Sequence, residues 1–312
     1  MIEVLDIGDC VETGSYRLHS RFRGALAFTG EASGRLVCAV DENKCAGPWN
    51  IVTRGLDFAR ADSLAVDDEA VWFDGEGCPI GRRSDSRLQT GVVDTARLGR
   101  NLELMWATLC ECAPERSIVR LLTGAPGSGF DAALADRFRS AIARLSEGDV
   151  GAAGEIRGVG PGLTPAGDDF LAGYLLGLCV AGDGFAEERR AIREMARTGN
   201  PFSSVMLDCA VEGRAIEPVR EVMRGLLWRR HSCLPHRDSS RCAADAPHSQ
   251  KRVETSLDAA GRSACATAVR RLCLVGASSG ADMACGLYFG LDGFVGQAAS
   301  LPHRKPRSEE NS

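Results

Sequence analysis

Two aspartates, each a few positions beyond a run of glycines, are the residues of this 312-residue chain best placed to do chemistry. The first stretch, Gly158-Val-Gly-Pro-Gly-Leu-Thr-Pro-Ala-Gly-Asp-Asp-Phe-Leu-Ala-Gly173, runs into an apolar segment over 174–180 and reads as a glycine-rich loop that turns into a helix. Gly158, Gly160 and Gly162 permit positive φ angles and close backbone approach, while Thr164 and Pro165 form an N-cap and first-turn pair. Asp168 and Asp169 then fall in the first helical turns, where carboxylates complement the free amides and the helix dipole. The same amides are able to grip a phosphate or carboxylate. Two readings stand at this level: a well-capped helix start, and an anion or metal site.

A second copy of the pattern, Gly276-Ala-Ser-Ser-Gly-Ala-Asp-Met-Ala-Cys-Gly-Leu-Tyr-Phe-Gly-Leu291, has a loop one residue shorter. Aligned, it matches Gly167 with Gly280, Asp169 with Asp282, Gly173 with Gly286, Gly177 with Gly290 and Leu178 with Leu291, the mark of an internal repeat. The comparison separates the two acids of the first copy, because Asp168 faces Ala281 whereas Asp169 faces Asp282. Adjacent helical positions point about 100° apart. Asp168 is therefore assigned to capping, and Asp169 with Asp282 to a shared cleft as the candidate catalytic pair. Gly160, Gly162, Thr164, Gly167, Ser278, Ser279 and Gly280 are the candidate substrate-binding residues, with Ser203 in a further loop, Thr198-Gly-Asn-Pro-Phe-Ser-Ser-Val205, that leads to a helix over 206–212. The acid pair is also a candidate site for a divalent ion such as Mg2+, and Arg157 for an oxyanion.

The elements that must position these residues fall into two kinds. Residues 1–88 read as a β-rich, barrel-like domain, with short strands at 24–29, 35–40, 50–54, 63–66 and 70–73 separated by Gly, Pro and Asp/Asn turns. Gly47-Pro48 is one such turn. Beyond a Gly/Arg/Ser-rich connector the period changes to that of a helix: Leu98, Leu102, Leu104, Met105 and Leu109, then Ala133, Leu134, Phe138, Ile142 and Leu145. The fold class is thus α+β, with a mainly helical domain over 89–300 carrying the site. Gly173-x-x-x-Gly177 and Gly286-x-x-x-Gly290 put small residues on one face of two helices and predict their close approach.

Composition excludes several functions. A net charge of −5 offers no basic face to nucleic acid, and no apolar run is long enough to span a membrane. Acid in Met1-Ile-Glu-Val-Leu-Asp6, where a signal peptide carries base, points to a cytoplasmic protein with its thirteen cysteines reduced. Lysines stand only at 44, 251 and 305, away from both loops, which argues against Schiff-base and P-loop chemistry. Thr123-Gly-Ala-Pro-Gly-Ser-Gly-Phe130 lacks the Gly-Lys-Ser/Thr of a phosphate loop and reads as an interhelical turn capped onto Asp131. A Ser-His-Asp hydrolase fails for want of histidine near a nucleophile, and a glycosidase for want of an aromatic platform. The Cys/His-rich segment 229–262 has no standard zinc spacing and is expected to be a flexible insertion, and 301–312 a disordered tail.

The motif Gly160-Pro-Gly-Leu-Thr-Pro-Ala-Gly-Asp-Asp-Phe-Leu-Ala-Gly173, with Gly276-Ala-Ser-Ser-Gly-Ala-Asp282, Gly47-Pro48 and the Ser203 segment, resembles the AllH-like family over roughly 20–292. The resemblance implies a subunit of an oxamate carbamoyltransferase that works with FdrA-like and AllG-like partners in allantoin (purine) breakdown. That reaction exchanges a carbamoyl group between oxalurate and phosphate, giving oxamate and carbamoyl phosphate. The alternative is a non-catalytic subunit that binds a ligand and shapes a partner's site. Segment 229–262 departs from the family pattern.

Overall fold

The structure, a computed structural model, describes residues 1–89, 93–124, 129–227 and 263–300, and of 297–300 the backbone alone. Segment 229–262 with its zinc question, the tail 301–312 and residues 125–128 of the Thr123–Phe130 loop lie outside the described residues.

Nine strands form one sheet: β1 (Glu3–Gly8), β2 (Gly14–Phe22), β3 (Ala25–Gly30), β4 (Leu36–Asp41), β5 (Asn50–Arg54), β6 (Ser63–Val66), β7 (Ala70–Phe73), β8 (Glu76–Pro79) and β9 (Arg83–Ser84). Their order is β8-β7-β6-β2-β3-β4-β5-β1-β9, with β4–β5 and β1–β9 parallel and the other pairs antiparallel. The two edge strands are neighbours in sequence, so the sheet must curl to bring β8 round to β9, and Ile80 bridges to Val4 on the way. This is the barrel-like β unit expected, as a curled half-barrel. Its concave face is filled by Ile7, Leu26, Phe28, Ile51, Leu64, Val71 and Phe73, alternating with outward positions as the two-residue period of a strand requires. Each such side chain contributes about 1.5–3 kcal/mol by leaving water.

The helical part comprises α1 (Thr95–Cys112), α2 (Ile118–Thr123), α3 (Phe130–Ser146), α4 (Ala153–Ile156), α5 (Ala166–Ala181), α6 (Ala186–Met195), α7 (Pro201–Val211), α8 (Glu217–Leu226), α9 (263–273) and α10 (Ser279–Ser300). In α1, Leu98, Leu102, Met105 and Leu109 are buried at helical spacing, and Asp94 caps the start by accepting from the Arg97 amide. In α3, Phe138, Ile142 and Leu145 are buried, but Asp131 makes no cap: the N-cap is Gly129, at φ 65° and without a side chain to donate or accept. The expected helix at 206–212 begins earlier, at Pro201, because Asn200 accepts from the Phe202 and Ser203 amides and Pro201 supplies the first-turn φ.

Helix α5 is the axis of this half, buried on every side from Ala166 to Val180. A helix apolar all round belongs in the middle of a core. Helix α10 lies along it more extensively than any other element. The contact is reciprocal: a Cβ on Gly173 would sit 1.9 Å from the Met283 carbonyl oxygen, and one on Gly286 would sit 1.9 Å from that of Phe170. Further along, Gly177 and Gly290 face each other, with a Cβ on either meeting the other's backbone at 3.0 to 3.2 Å. The two helices are therefore parallel and start at the same end. Helix α7 joins them in the same direction, since Asn200 Nδ2 donates to the Leu163 carbonyl ahead of α5 at 2.6 Å, and Cys179 near its far end donates to the Ala210 carbonyl at 3.4 Å.

Candidate functional site

Three parallel helices thus bring their N-termini to one end of the helical core. The loop before α5 takes the conformation its glycines allow, with φ of 68°, 109° and 119° at Gly158, Gly160 and Gly162. It folds back on the helix it precedes: a Cβ on Gly160 would meet that of Ala166 at 2.9 Å, and Gly167 donates its amide to the Val159 carbonyl at 2.9 Å. A Cβ on Gly167 would lie 1.8 Å from the Ile156 carbonyl oxygen. The second loop closes in the same way, through Gly280 N to Val275 O at 3.0 Å, with a Cβ on Gly280 1.9 Å from the Leu272 carbonyl oxygen. Closed by these bonds, the second loop is three residues shorter than the first rather than one. Packing against their own supports accounts for Gly160, Gly167 and Gly280 with no ligand in the argument.

Thr164 does not cap α5. The N-cap is Pro165, whose carbonyl accepts from the Asp168 and Asp169 amides, and this leaves the Thr164 hydroxyl one position outside the helix. There it donates to Asp169 Oδ2 at 3.1 Å and lies 3.4 Å from Ser279 Oγ of the second loop. The two loops, more than a hundred positions apart, therefore touch through the candidate residues Thr164 and Ser279. Asp168 does not cap helix amides either: its Oδ1 accepts from the Gly158 amide at 2.7 Å and pins the start of the loop. Asp282 Oδ1 accepts from the Ile118 amide at 2.6 Å, a donor in the first turn of α2. Arg157, expected near an oxyanion, points its Nη1 to the carbonyls of Met195 and Arg197, at 3.3 and 2.9 Å.

Asp168, Asp169, Asp282 and Ser203 are at most 1% exposed. Each keeps one side-chain oxygen without a hydrogen-bond partner: Asp168 Oδ2, Asp169 Oδ1, Asp282 Oδ2 and Ser203 Oγ. Buried polar atoms are normally satisfied, and an orphan costs about 1–3 kcal/mol. Four orphans in the first turns of α5, α7 and α10 make this end of the core the most conspicuously incomplete polar region of the described residues. Burial pushes Asp169 up to about 8, with repulsion from Asp282 and Asp168 added and hydrogen bonds from Ser279 and Thr164 opposing. Asp282 is likewise pushed up by burial, to about 7, against the Ile118 amide and the Ser278 hydroxyl. Near neutral pH the pair can hold one proton and lack another, the condition for an acid and a base working together. Among the described residues no group of three or more His, Cys, Asp or Glu is placed to hold a metal, so a divalent ion would have the acid pair and neighbouring hydroxyls alone.

The Ile118 amide, bonded to Asp282, and Asn200, which tethers the Leu163 loop, adjoin the candidate residues without being among those expected from the sequence. Asn200-Pro201 is a recognisable cap pair, whereas a backbone amide carries no side-chain signal at all.

Residues 156–244 match the family model described as oxamate carbamoyltransferase subunit AllH. The AllH-like resemblance, expected over roughly 20–292, is borne out over these residues. The matching segment takes in the Asp169 loop, α5 and the Ser203 turn, while the second loop with Ser278, Ser279 and Asp282 lies beyond it. A subunit in the AllH description is one chain of a multi-chain assembly. No curated protein and no solved structure matches the chain. No helix among the described residues is long and apolar enough to cross a membrane.

Proposed function

We propose that the chain is the AllH-like subunit of an oxamate carbamoyltransferase complex, and that the ends of α5, α7 and α10 hold its substrate. The observation that carries this reading is the set of unpartnered buried oxygens on Asp169, Asp282 and Ser203, bracketed by the Thr164–Ser279 contact. A carbamoyl donor brings a planar amide with N–H donors and a carbonyl, which suits one ionised and one neutral carboxyl. The converging helix starts favour its anionic groups.

In the direction of oxalurate breakdown, a phosphate oxygen attacks the carbamoyl carbon, and the bond from that carbon to the oxamate nitrogen breaks. Asp282 takes the proton that the monohydrogen phosphate loses, and Asp169 supplies one to the departing nitrogen, so that oxamate and carbamoyl phosphate result with no net proton change. The reverse reaction needs the reverse protonation. Allantoin breakdown is the setting the family likeness brings, with FdrA-like and AllG-like chains as partners and the cytoplasm as the compartment. The separate sheet and helical cores support two domains, 1–88 and 89–300, with the second carrying the site.

A second reading draws on the burial of both acids behind Thr164 and Ser279: the chain binds a ligand and shapes a partner's active site without doing chemistry itself. Assays of the chain alone and mixed with its partners, supplied with oxamate and carbamoyl phosphate, separate the two. Turnover by the isolated chain excludes the second reading, and absence of turnover in every combination overturns the first.

A further inference from the structure

A groove of about 360 Å3 lies between the sheet and α7, away from the acid pair, and Cys10 and Cys209 both line it beside Arg35, Asn200 and Ser204. Cys10 sits in the turn after β1, its backbone fixed by donation from its amide to the Pro48 carbonyl at 2.8 Å. Cys209 belongs to the last turns of α7. Although 199 positions apart, their sulfurs are 3.9 Å from each other, with the Cys209 thiol directed at Cys10. A disulfide needs about 2.05 Å between sulfurs, a closure within the reach of small side-chain rotations. We propose that Cys10 and Cys209 are a thiol pair that exchanges with a low-molecular-weight disulfide entering this groove and closes into a bond between the sheet and α7.

The surroundings divide the roles. Arg214, ion-paired with Asp9, stands beside Cys10. The hydrogen bond from Cys209 and the Arg214 charge hold the Cys10 thiol below its ordinary range against the opposing effect of burial, whereas its contact with Cys10 and its own burial push Cys209 well up. A thiolate is the attacking species in exchange. Cys10 sulfur attacks one sulfur of the small disulfide, forming a mixed disulfide and releasing one thiolate, which takes the proton of Cys209. Cys209 sulfur then attacks Cys10 sulfur and expels the second small thiolate, which takes from water the proton that Cys10 released on ionising. Two protein thiols are oxidised and one small disulfide is reduced to two thiols. The new bond ties the turn after β1 to the helix whose cap, Asn200, holds the Leu163 loop.

The test is peptide mapping of the full chain after incubation with oxidised glutathione, with free thiols alkylated before digestion. The proposal expects a linked Cys10–Cys209 peptide and loss of alkylation at these two positions. Cys209→Ser should leave Cys10 as a stable mixed disulfide with glutathione, and Cys10→Ser should leave Cys209 reduced. Circular dichroism establishes that each variant is folded, and the wild-type map stands even if a variant is not. Full alkylation of Cys10 and Cys209, or linkage confined to the other close pair among the described residues, Cys112 and Cys273 at 3.4 Å, overturns the proposal.

Discussion

At the scale of single residues, the two raised carboxyls tie the site to the stability of the protein. An unfolded aspartate releases its proton near 3.8, whereas Asp169 keeps it to about 8 and Asp282 to about 7. Between those limits the folded state binds more protons than the unfolded one, so stability contributed by these groups is fully present below about 3.8 and falls as pH rises from there, the loss being complete once pH passes 7 to 8. Asp169→Asn removes one of these ionisations. Urea unfolding followed across that range should show wild type losing stability toward the alkaline end relative to the variant, and parallel curves would refute the assignment. Asp168 differs, since it fastens the loop through Gly158. Asp168→Asn should lower unfolding free energy by about 1 kcal/mol, the net worth of one such hydrogen bond, in chemical denaturation. The repeat set these two acids apart and their hydrogen-bond partners do differ, but the partner of Asp168 is a loop amide ten residues back and not the helix amide expected. Nothing in the local sequence shows where a loop doubles back.

At the scale of elements, the reciprocal contact of α5 with α10 sets the position of both acids. Gly173→Ala or Gly286→Ala would each place a methyl group 1.9 Å from a backbone oxygen, so the helices must part. We expect each to cost about 3 kcal/mol, at the upper end for overpacking. Because separating the helices for one methyl makes room for the other, the double variant should lose less than the sum, which thermal or urea unfolding of the three variants measures. This interface was legible in the paired Gly-x-x-x-Gly motifs. Strands β5, β6 and β7 were legible too, as short apolar runs between turn residues. Strand β1 escaped notice because the buried Asp6 interrupts it, its Oδ2 accepting from Arg82 and from Ser84 Oγ at 2.6 Å while its Oδ1 has no partner. Strand β2 alternates Arg17, His19 and Arg21 with Tyr16, Leu18, Ser20 and Phe22, a two-residue period broken by the polar Ser20, and pairs with β3 and β6.

At the scale of the molecule, the curled sheet and the helical core meet along a seam. Arg214 ion-pairs with Asp9, Asp9 accepts from the Ser86 amide at 3.1 Å, and Leu88 donates to the Gly213 carbonyl at 2.8 Å. The seam holds the groove of the Cys10 and Cys209 thiols, while the candidate site lies at the starts of the three parallel helices. The central claim is that Asp169 and Asp282 act on the substrate together. The most direct measurement is carbamoyl phosphate formation from oxalurate and phosphate by the complex reconstituted with wild type, Asp169→Asn or Asp282→Asn, alongside melting curves of each chain. Either substitution should lower turnover at least about a hundredfold, the scale of a lost proton-transfer group, while the chain stays folded. Full activity in both folded variants would contradict it.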